Sequence, residues 1–256
     1  MRRVLHEPAF VLHRYDWSES SLILEIFARR QGRVAIVAKG VKRPSSQFRA
    51  ILLPLQLLSI SFSGDAEVQT LKGAEWQGGQ TMPSGDALLS GYYLNELLMK
   101  LLARDDPHEG LFDAYAQACV WLRDAAQLDV SLRAFELVLL REIGLLPSLD
   151  MNSFSMGELE DDVLYSLVPE VGLREARGDS MKSDSGEAAL PAQAWRSLQI
   201  ALDQRAAIFP VREAVQRMSG ADKSALKSIL RSLLNYHAGS RGFRTRQLMM
   251  DAQAFS

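Results

Sequence analysis

The first eighty residues contain five apolar segments of strand length, and no connection between them shows a helical pattern. The segments are residues 9–13, 21–28, 33–39, 55–63 and 68–76. Arg29-Arg30-Gln31-Gly32 joins the second segment to the third, and a short turn with glycine is typical of a β-hairpin. Parallel strands are usually joined by a helical crossover. We therefore predict a small closed antiparallel barrel.

Five strands within about eighty residues are typical of the OB-fold, a small barrel that often binds nucleic acids or sugars. The connection between the third and fourth segments, residues 40–46, contains glycine, proline and serine beside Lys42 and Arg43. This composition predicts a flexible basic loop. Loops held by a scaffold often carry function.

The remainder of the chain, residues 81–256, is predicted to be mostly helical. Apolar residues recur at three- and four-residue spacing from Leu88, from about Pro107, and over 130–143, 191–202 and 221–237. Phe209-Pro210 is interpreted as a helix break. Residues 148–190 are predicted to be an irregular acidic insertion with at most one strand, at 163–168. The predicted fold class is α+β, with an OB-fold domain at 1–80 and a helical domain at 81–256.

Charge is distributed unevenly along the chain, although the formal net charge is only -2. Residues 1–50 contain ten basic and four acidic residues, and residues 217–246 contain seven and one. Residues 81–216 contain 11 basic and 22 acidic residues. Basic ends around an acidic middle indicate a nucleic-acid partner. The alternative is that solvated faces differ in charge without a function.

Several classes of function lack their motifs. Cys119 is the single cysteine, so a disulfide scaffold and a thiolate zinc cluster are excluded. The sequence has no P-loop, no Gly-x-Gly-x-x-Gly and no His-Glu-x-x-His. Ser224 and Lys227 match Ser-x-x-Lys, a spacing that occurs often by chance. No apolar run reaches membrane length, and the start does not look like a signal peptide. We expect no catalysis, cofactor, metal or membrane association, and a cytoplasmic protein.

Four stretches, in order along nearly the whole chain, resemble the RecO family of bacterial recombination mediators. They are AFVLHRYDWSESSLILEIFARRQGRVAIVAKGVKR, YYLNELLMKLL, LRAFELVLLREIGLLP and LKSILRSLLNYHAGSRGFRTRQL. The resemblance implies an N-terminal OB-fold and a helical C-terminal domain. It also implies binding of single- and double-stranded DNA and annealing of complementary strands.

The resemblance further implies partners and a location. These are single-strand binding protein, recognised through its acidic C-terminal tail, and RecR, with which the family helps to load RecA. We expect a monomer associated with the nucleoid. Some members carry a four-cysteine zinc site in the region that matches 148–190. This chain has no cysteine there, so a zinc-free member is predicted.

Candidate DNA contacts are basic residues of the barrel and of the C-terminal segment, because phosphates are bound by lysine and arginine without regard to sequence. They are Arg14, Arg33, Lys39, Lys42, Arg43, Arg49, Arg241, Arg244 and Arg246. Tyr15, Trp17 and Phe48 are candidate stacking residues. Trp17 and Phe48 are favoured instead as residues that close the ends of the barrel.

The acidic tail of single-strand binding protein requires an apolar pocket with cations at its rim. The resemblance to the family implies that Arg133 occupies the basic position of the family's pocket. Arg141, eight residues further along the same predicted helix, is expected to assist. Tyr93, Leu94 and Leu98 are candidates for the pocket wall, with core packing as the alternative. RNA binding, a role as a protein-only adaptor and a nuclease that uses the acidic loops remain open.

Overall fold

The computed structural model describes residues 3–78, 82–176, 187–239, 243–245 and 248. The chain forms two compact units, one of Met1–Ala125 with Arg244–Ser256 and one of Ala126–Phe243. The domain boundary near residue 80 stays a prediction. The first unit extends past that position and includes the two helices that follow the barrel.

Five strands form a closed barrel in the first unit, in the hydrogen-bonded order β1-β2-β3-β5-β4. They are β1 (Arg3–Asp16), β2 (Leu22–Ala28), β3 (Gly32–Ala38), β4 (Leu58–Ser63) and β5 (Val68–Trp76). The predicted OB-fold barrel is confirmed, but it is not wholly antiparallel. β3 and β5 run parallel, from Ala35↔Val68 to Val37↔Thr70. β4 pairs with β1, so the connection after β3 must cross the barrel, and β5 then returns beside β3 in parallel.

The first strand is much longer than the apolar segment 9–13 that predicted it. Its first half pairs with β4 and its second half with β2, and Ala9 is paired on both sides. Register shifts interrupt both ladders, as expected where a strand bends from one neighbour to the next. The polar residues at both ends of β1 hide its length from a hydrophobic pattern, because only its middle is buried.

The barrel core includes two residues of the β3–β4 connection as well as strand residues. Val41 and Leu52 are 2% and 1% exposed, and they belong to the same apolar cluster as Leu24, Ile36 and Ile60. The connection also contains a short 3-10 helix, Gln47–Ala50. Burial of Val41 and Leu52 fixes the path of the basic connection across the end of the barrel.

Two helices, α1 (Gly85–Leu101) and α2 (Glu109–Trp121), belong to the same unit as the barrel. The ring of Phe10 on β1 lies 5.4 Å from that of Phe112 and 4.9 Å from that of Tyr115, both on α2. On α1, Asn95 donates through Nδ2 to the carbonyl oxygen of Leu12 at 3.0 Å. Aromatic packing and this buried hydrogen bond explain why the helices form one unit with the barrel.

The link between α1 and α2 lies directly on the start of β3. Gly32 has a φ of +71°, and a Cβ atom there would lie 2.2 Å from the backbone oxygen of Asp106. The backbone nitrogen of Asp105 donates to the carbonyl oxygen of Arg33 at 3.0 Å. Glycine is therefore required at this hairpin turn both for its backbone conformation and for the close approach of another chain segment.

The second unit combines four helices with a small sheet. The helices are α3 (Leu128–Glu142), α4 (Ala192–Leu202), α5 (Ile208–Arg217) and α6 (Gly220–Ala238). The strands β6 (Leu164–Val168), β7 (Gly172–Glu175) and β8 (Leu190–Pro191) form a sheet in the order β7-β6-β8. Every residue of α3 from Val130 to Leu140 is buried, which is typical of a central helix.

The structure differs from the sequence prediction at two places in this unit. Phe209-Pro210 does not separate helices but lies in the first turn of α5, where proline is tolerated because its missing N–H would have no partner. In residues 148–190, predicted to be irregular with at most one strand, β6 lies within the predicted strand 163–168, whereas β7 and the first residue of β8 were not predicted. Strands of two to five residues are too short to show a reliable alternating pattern.

Candidate nucleic-acid interface

Three of the predicted DNA-binding cations line one cavity at the end of the barrel. Arg14 comes from β1, whereas Lys42 and Arg49 come from the β3–β4 connection. The cavity has a volume of about 380 Å³, and its remaining lining residues are Asp16, Leu22, Val41 and Leu52. We call it the basic cavity. It combines cations, one carboxylate and an apolar floor, a composition suited to a phosphate joined to a less polar group.

Hydrogen bonds hold the β3–β4 connection against the β1–β2 turn. The backbone nitrogen of Lys42 donates to the carbonyl oxygen of Ser20 at 3.0 Å, and that of Gly40 donates to Ser21 Oγ at 3.3 Å. The Lys42 ammonium donates to the carbonyl oxygen of Ser18 at 2.9 Å and pairs with Asp16 at 2.6 Å. Arg14 Nη1 reaches the carbonyl oxygen of Leu52 at 3.5 Å. The predicted flexible loop is thus tied to the barrel at several points.

Two further predicted cations, Lys39 and Arg43, are exposed on the same connection but do not line the basic cavity. The Arg43 side chain passes over Gly40, within 3.7 Å of the position that a Cβ atom would occupy there. Both residues extend the positive charge near the cavity.

Arg33 occupies a different environment from the other predicted contacts. Its side chain is only 16% exposed and pairs with Glu25 at 3.3 Å, and its Nε donates to the carbonyl oxygen of Leu102 at 3.0 Å. Glu25 is 2% exposed and also pairs with Arg104. A buried carboxylate needs such partners. The structure therefore places Arg33 in an internal ion-pair network and not with the basic cavity.

The aromatic candidates separate into two kinds. Trp17 is 66% exposed and Tyr15 is 44% exposed, while Phe48 packs against the barrel core. The sequence favours both Trp17 and Phe48 as residues that close the ends of the barrel. The packing of Phe48 agrees with that role, whereas the exposure of Trp17 does not. The rings of Tyr15 and His13 meet edge to face at 4.4 Å. Exposed Tyr15 and Trp17 flank the cavity residue Asp16 in the chain, but neither lines the basic cavity.

Of the three predicted C-terminal cations, Arg244 is described, whereas Arg241 and Arg246 are outside the described residues. Arg244 is exposed, and its backbone nitrogen donates to Glu96 Oε1 at 2.9 Å. Thr245 donates to Glu96 as well. Burial raises the pKa of Glu96, but the hydrogen bonds from Thr245 and Arg244 and the charge of Lys100 outweigh it, so the net shift is downward. Glu96 thus binds Arg244 and Thr245 to α1.

The five residues predicted to bind an acidic tail are mostly buried. Tyr93, Leu94 and Leu98 on α1 are 4%, 0% and 0% exposed. Arg133 is 5% exposed and pairs with Glu136 at 2.8 Å. The guanidinium of Arg141 is the most accessible of the set, with a side chain 39% exposed and paired with Asp203 at 2.8 Å. The site for an acidic tail stays a prediction.

Among the described residues, no group of three or more His, Cys, Asp or Glu side chains could hold a metal ion. Burial raises the pKa of the Cys119 thiol to about 12, so this group is protonated at neutral pH. Ser224 donates to the carbonyl oxygen of Gly220, and Lys227 pairs with Asp129, so the two are not poised as a Ser-Lys pair. No helix within the described ranges is long and apolar enough to cross a bilayer.

Sequence reasoning missed the role of Asp16 and the exposure of Trp17. Asp16 is the carboxylate that holds Lys42 in the basic cavity, a relation between residues far apart in the chain. The only available signal was position: Tyr15, Asp16 and Trp17 lead into the polar β1–β2 turn, where side chains are usually exposed.

Comparison with known proteins covers nearly the whole chain. The family model described as "Recombination protein O N terminal" matches residues 1–79, and "Recombination protein O C terminal" matches residues 82–247. The chain is 57% identical to DNA repair protein RecO of Variovorax paradoxus, over 98% of each chain. It is 56% identical to that of Polaromonas sp. strain JS666, over 99% of this chain and 98% of the relative. The chain therefore belongs to the recombination protein O family, whose role is in DNA repair and recombination.

Proposed function

We propose that this chain is a non-enzymatic recombination mediator that binds single- and double-stranded DNA and anneals complementary strands. The observation that carries the proposal is the basic cavity, where Arg14, Lys42 and Arg49 surround an apolar floor, with exposed Tyr15 and Trp17 next to Asp16 in the chain. Annealing requires that a protein hold strands without reading them. Contacts to phosphates do this, because they position a strand and leave the base edges free to pair.

Each part of the basic cavity has a chemical task in this proposal. The cations neutralise phosphates and release their counterions, so affinity falls as salt rises. Tyr15 and Trp17 offer ring faces on which any base can stack. Leu22, Val41 and Leu52 give the floor an apolar surface for a sugar or a base. The carboxylate of Asp16 opposes phosphate binding, and it orients Lys42 when no phosphate is bound.

The proposal includes the partners that the family resemblance implies. These are single-strand binding protein through its acidic tail, and RecR, with which a monomer of this chain helps to load RecA. For the tail, Arg141 is the accessible candidate. Its ion pair with Asp203 is partly exposed to solvent, and such a pair is weak enough to exchange for a peptide carboxylate. Arg133 would require its helix surroundings to open, because it is buried against Glu136.

The decisive experiment measures annealing of complementary oligonucleotides coated with single-strand binding protein, with and without its acidic tail. The proposal predicts annealing of bare strands, and annealing of coated strands only when the tail is present. Failure to anneal bare strands would contradict the mediator role. Stronger competition by RNA than by DNA would indicate an RNA-binding module instead, and binding that is independent of salt would indicate a protein adaptor.

A further inference from the structure

The sequence of α6 repeats one four-residue pattern three times. Residues 223–234 are KSALKSILRSLL, so a cation, a serine, a variable apolar residue and a leucine recur. Leu226, Leu230 and Leu234 are at most 1% exposed. The polar members lie on the opposite, accessible side of the helix, with only Lys223 half-buried. We call the polar members the α6 ladder: Lys223, Ser224, Lys227, Ser228, Arg231 and Ser232.

The spacing of the ladder suits a linear polyanion. Residues four apart in an α-helix are separated by about 6 Å along its axis, with only a small rotation from one to the next. The three cations therefore form one row along the helix, and the three serines form a second row about 100° further around it. Cations and hydroxyl groups are the side chains that contact nucleic-acid phosphates, and neither type needs a particular base.

Helix stability does not account for this arrangement. Like charges four residues apart destabilise a helix, and the ladder contains two such pairs. Lys223 lies close to the helix N-terminus, where the helix dipole disfavours a cation. Exposed serines are weaker helix formers than alanine, glutamate or lysine. Because the polar face lowers the stability of the helix at each repeat, its sequence needs an explanation other than helix stability.

Most of the ladder's donors are available to a ligand. Arg231, Ser228 and Ser232 make no hydrogen bond or ion pair with any described residue. Lys227 donates to Asp129 at 2.9 Å and Lys223 donates to the carbonyl oxygen of Gln216 at 2.8 Å. An ammonium has three donors, so each lysine keeps further capacity.

We propose that the α6 ladder binds the phosphodiester backbone of a second nucleic-acid strand. The inference rests on the proposed function, because annealing requires two complementary strands to be held by the protein. The basic cavity belongs to the first compact unit and α6 to the second, so the two strands contact separate sets of residues. Backbone contacts at α6 leave the bases of the second strand free to pair.

The test uses the full chain with Lys227→Gln and Arg231→Gln together. The matched control carries Arg123→Gln and Arg205→Gln, which remove the same charge from exposed positions outside the ladder and the basic cavity. Binding of one short fluorescein-labelled oligonucleotide is measured by anisotropy, and annealing to its complement by energy transfer. Thermal unfolding of each variant verifies that the fold is intact.

The α6 variant should bind the single short oligonucleotide within about twofold of wild type, because the basic cavity that binds the first strand is unchanged and shares no partner with the α6 ladder. Its annealing rate should fall, and the slope of that rate against salt on a logarithmic scale should become shallower by about 1.4 for two lost phosphate contacts. Annealing equal to that of wild type and control would overturn the inference. So would an equal loss of binding and annealing, which would mean a single site. Absence of annealing by wild type would contradict the proposed function, and the inference with it.

Discussion

The ammonium of Lys42 lies 2.6 Å from the carboxylate of Asp16, and both groups line the basic cavity. The carboxylate is 82% exposed and the lysine side chain 28%. A phosphate that enters the cavity must therefore share Lys42 with Asp16 or displace it. The pair preorganises a cation for an anionic ligand and at the same time limits the affinity of the site.

Asp16→Asn should increase affinity for single-stranded DNA. The change removes a negative charge that repels phosphate and that competes for Lys42. A solvent-exposed ion pair is worth about 0.5 kcal/mol, so the dissociation constant should fall about two- to threefold at low salt. Fluorescence anisotropy measures this directly. Glu75→Gln removes the same charge from an exposed position on β5 and should have little effect. Weaker binding by Asp16→Asn would show that Asp16 supports the site instead of opposing the ligand.

Trp17→Ala and Phe48→Ala should have opposite effects on binding and stability. Trp17 is exposed and follows the cavity residue Asp16 in the chain, and loss of a stacking ring costs about 1–3 kcal/mol of binding to single strands. Its removal should leave the melting temperature unchanged. Phe48 packs on the barrel core, so its removal should lower the melting temperature. Intrinsic tryptophan fluorescence should also be quenched by DNA in the wild type. Full affinity in Trp17→Ala would rule out stacking at this residue.

Arg33→Gln should destabilise the protein and leave DNA affinity nearly unchanged. The change removes a charged hydrogen bond to Glu25, which is buried, although Arg104 still pairs with the same carboxylate. A hydrogen bond to a charged group contributes about 1.5–3 kcal/mol. Urea unfolding gives the loss of stability, and anisotropy gives the affinity. A large loss of DNA affinity with unchanged stability would show that Arg33 contacts DNA.

Lowering the pH should remove the contribution that the Glu96 carboxylate makes to the stability of the fold. Its pKa is lower in the folded chain than the ordinary value of 4.5, so the carboxylate stabilises the fold at any pH above that value. The contribution declines as the pH falls below 4.5 and is lost once the pH passes the folded pKa. The free energy of unfolding of Glu96→Gln should therefore depend less on pH in this range than that of wild type. Identical pH profiles would show that the contacts from Arg244 and Thr245 do not stabilise the fold.

Local sequence patterns predicted the barrel and most helices because these depend on hydrophobic period and turn residues. The strand 68–76 was predicted with the bounds of β5, and helix 191–202 differs from α4 by one residue. The parallel pairing of β3 with β5 was not predictable in this way, because it depends on how the connection crosses the barrel. A proline pattern does not predict helix α5, because Pro210 would break the interior of a helix but is tolerated in its first turn.

The candidate site was predicted in composition but not in arrangement. Arg33 and Arg49 look alike in sequence, as basic residues of the N-terminal eighty residues, yet only Arg49 lines the cavity. Arg33 differs because its side chain bonds to Glu25 on the neighbouring strand β2 and to the carbonyl oxygen of Leu102, which is far from it in the chain. Exposure depends on such nonlocal partners, and a single sequence does not display them. The same reason explains why Leu94 and Leu98, candidates for a pocket wall, are buried.

The central claim, that DNA binds at the basic cavity, is tested most directly by Lys42→Gln combined with Arg49→Gln. The measurement is the affinity of the full chain for a short single-stranded oligonucleotide over a range of salt concentrations. The account predicts weaker binding at low salt and a salt slope that is shallower by about 1.4, since two phosphate contacts are lost. The control, Lys72→Gln with Arg123→Gln, removes equal charge from exposed positions and should retain the wild-type slope. Wild-type affinity and slope in the cavity variant would contradict the account.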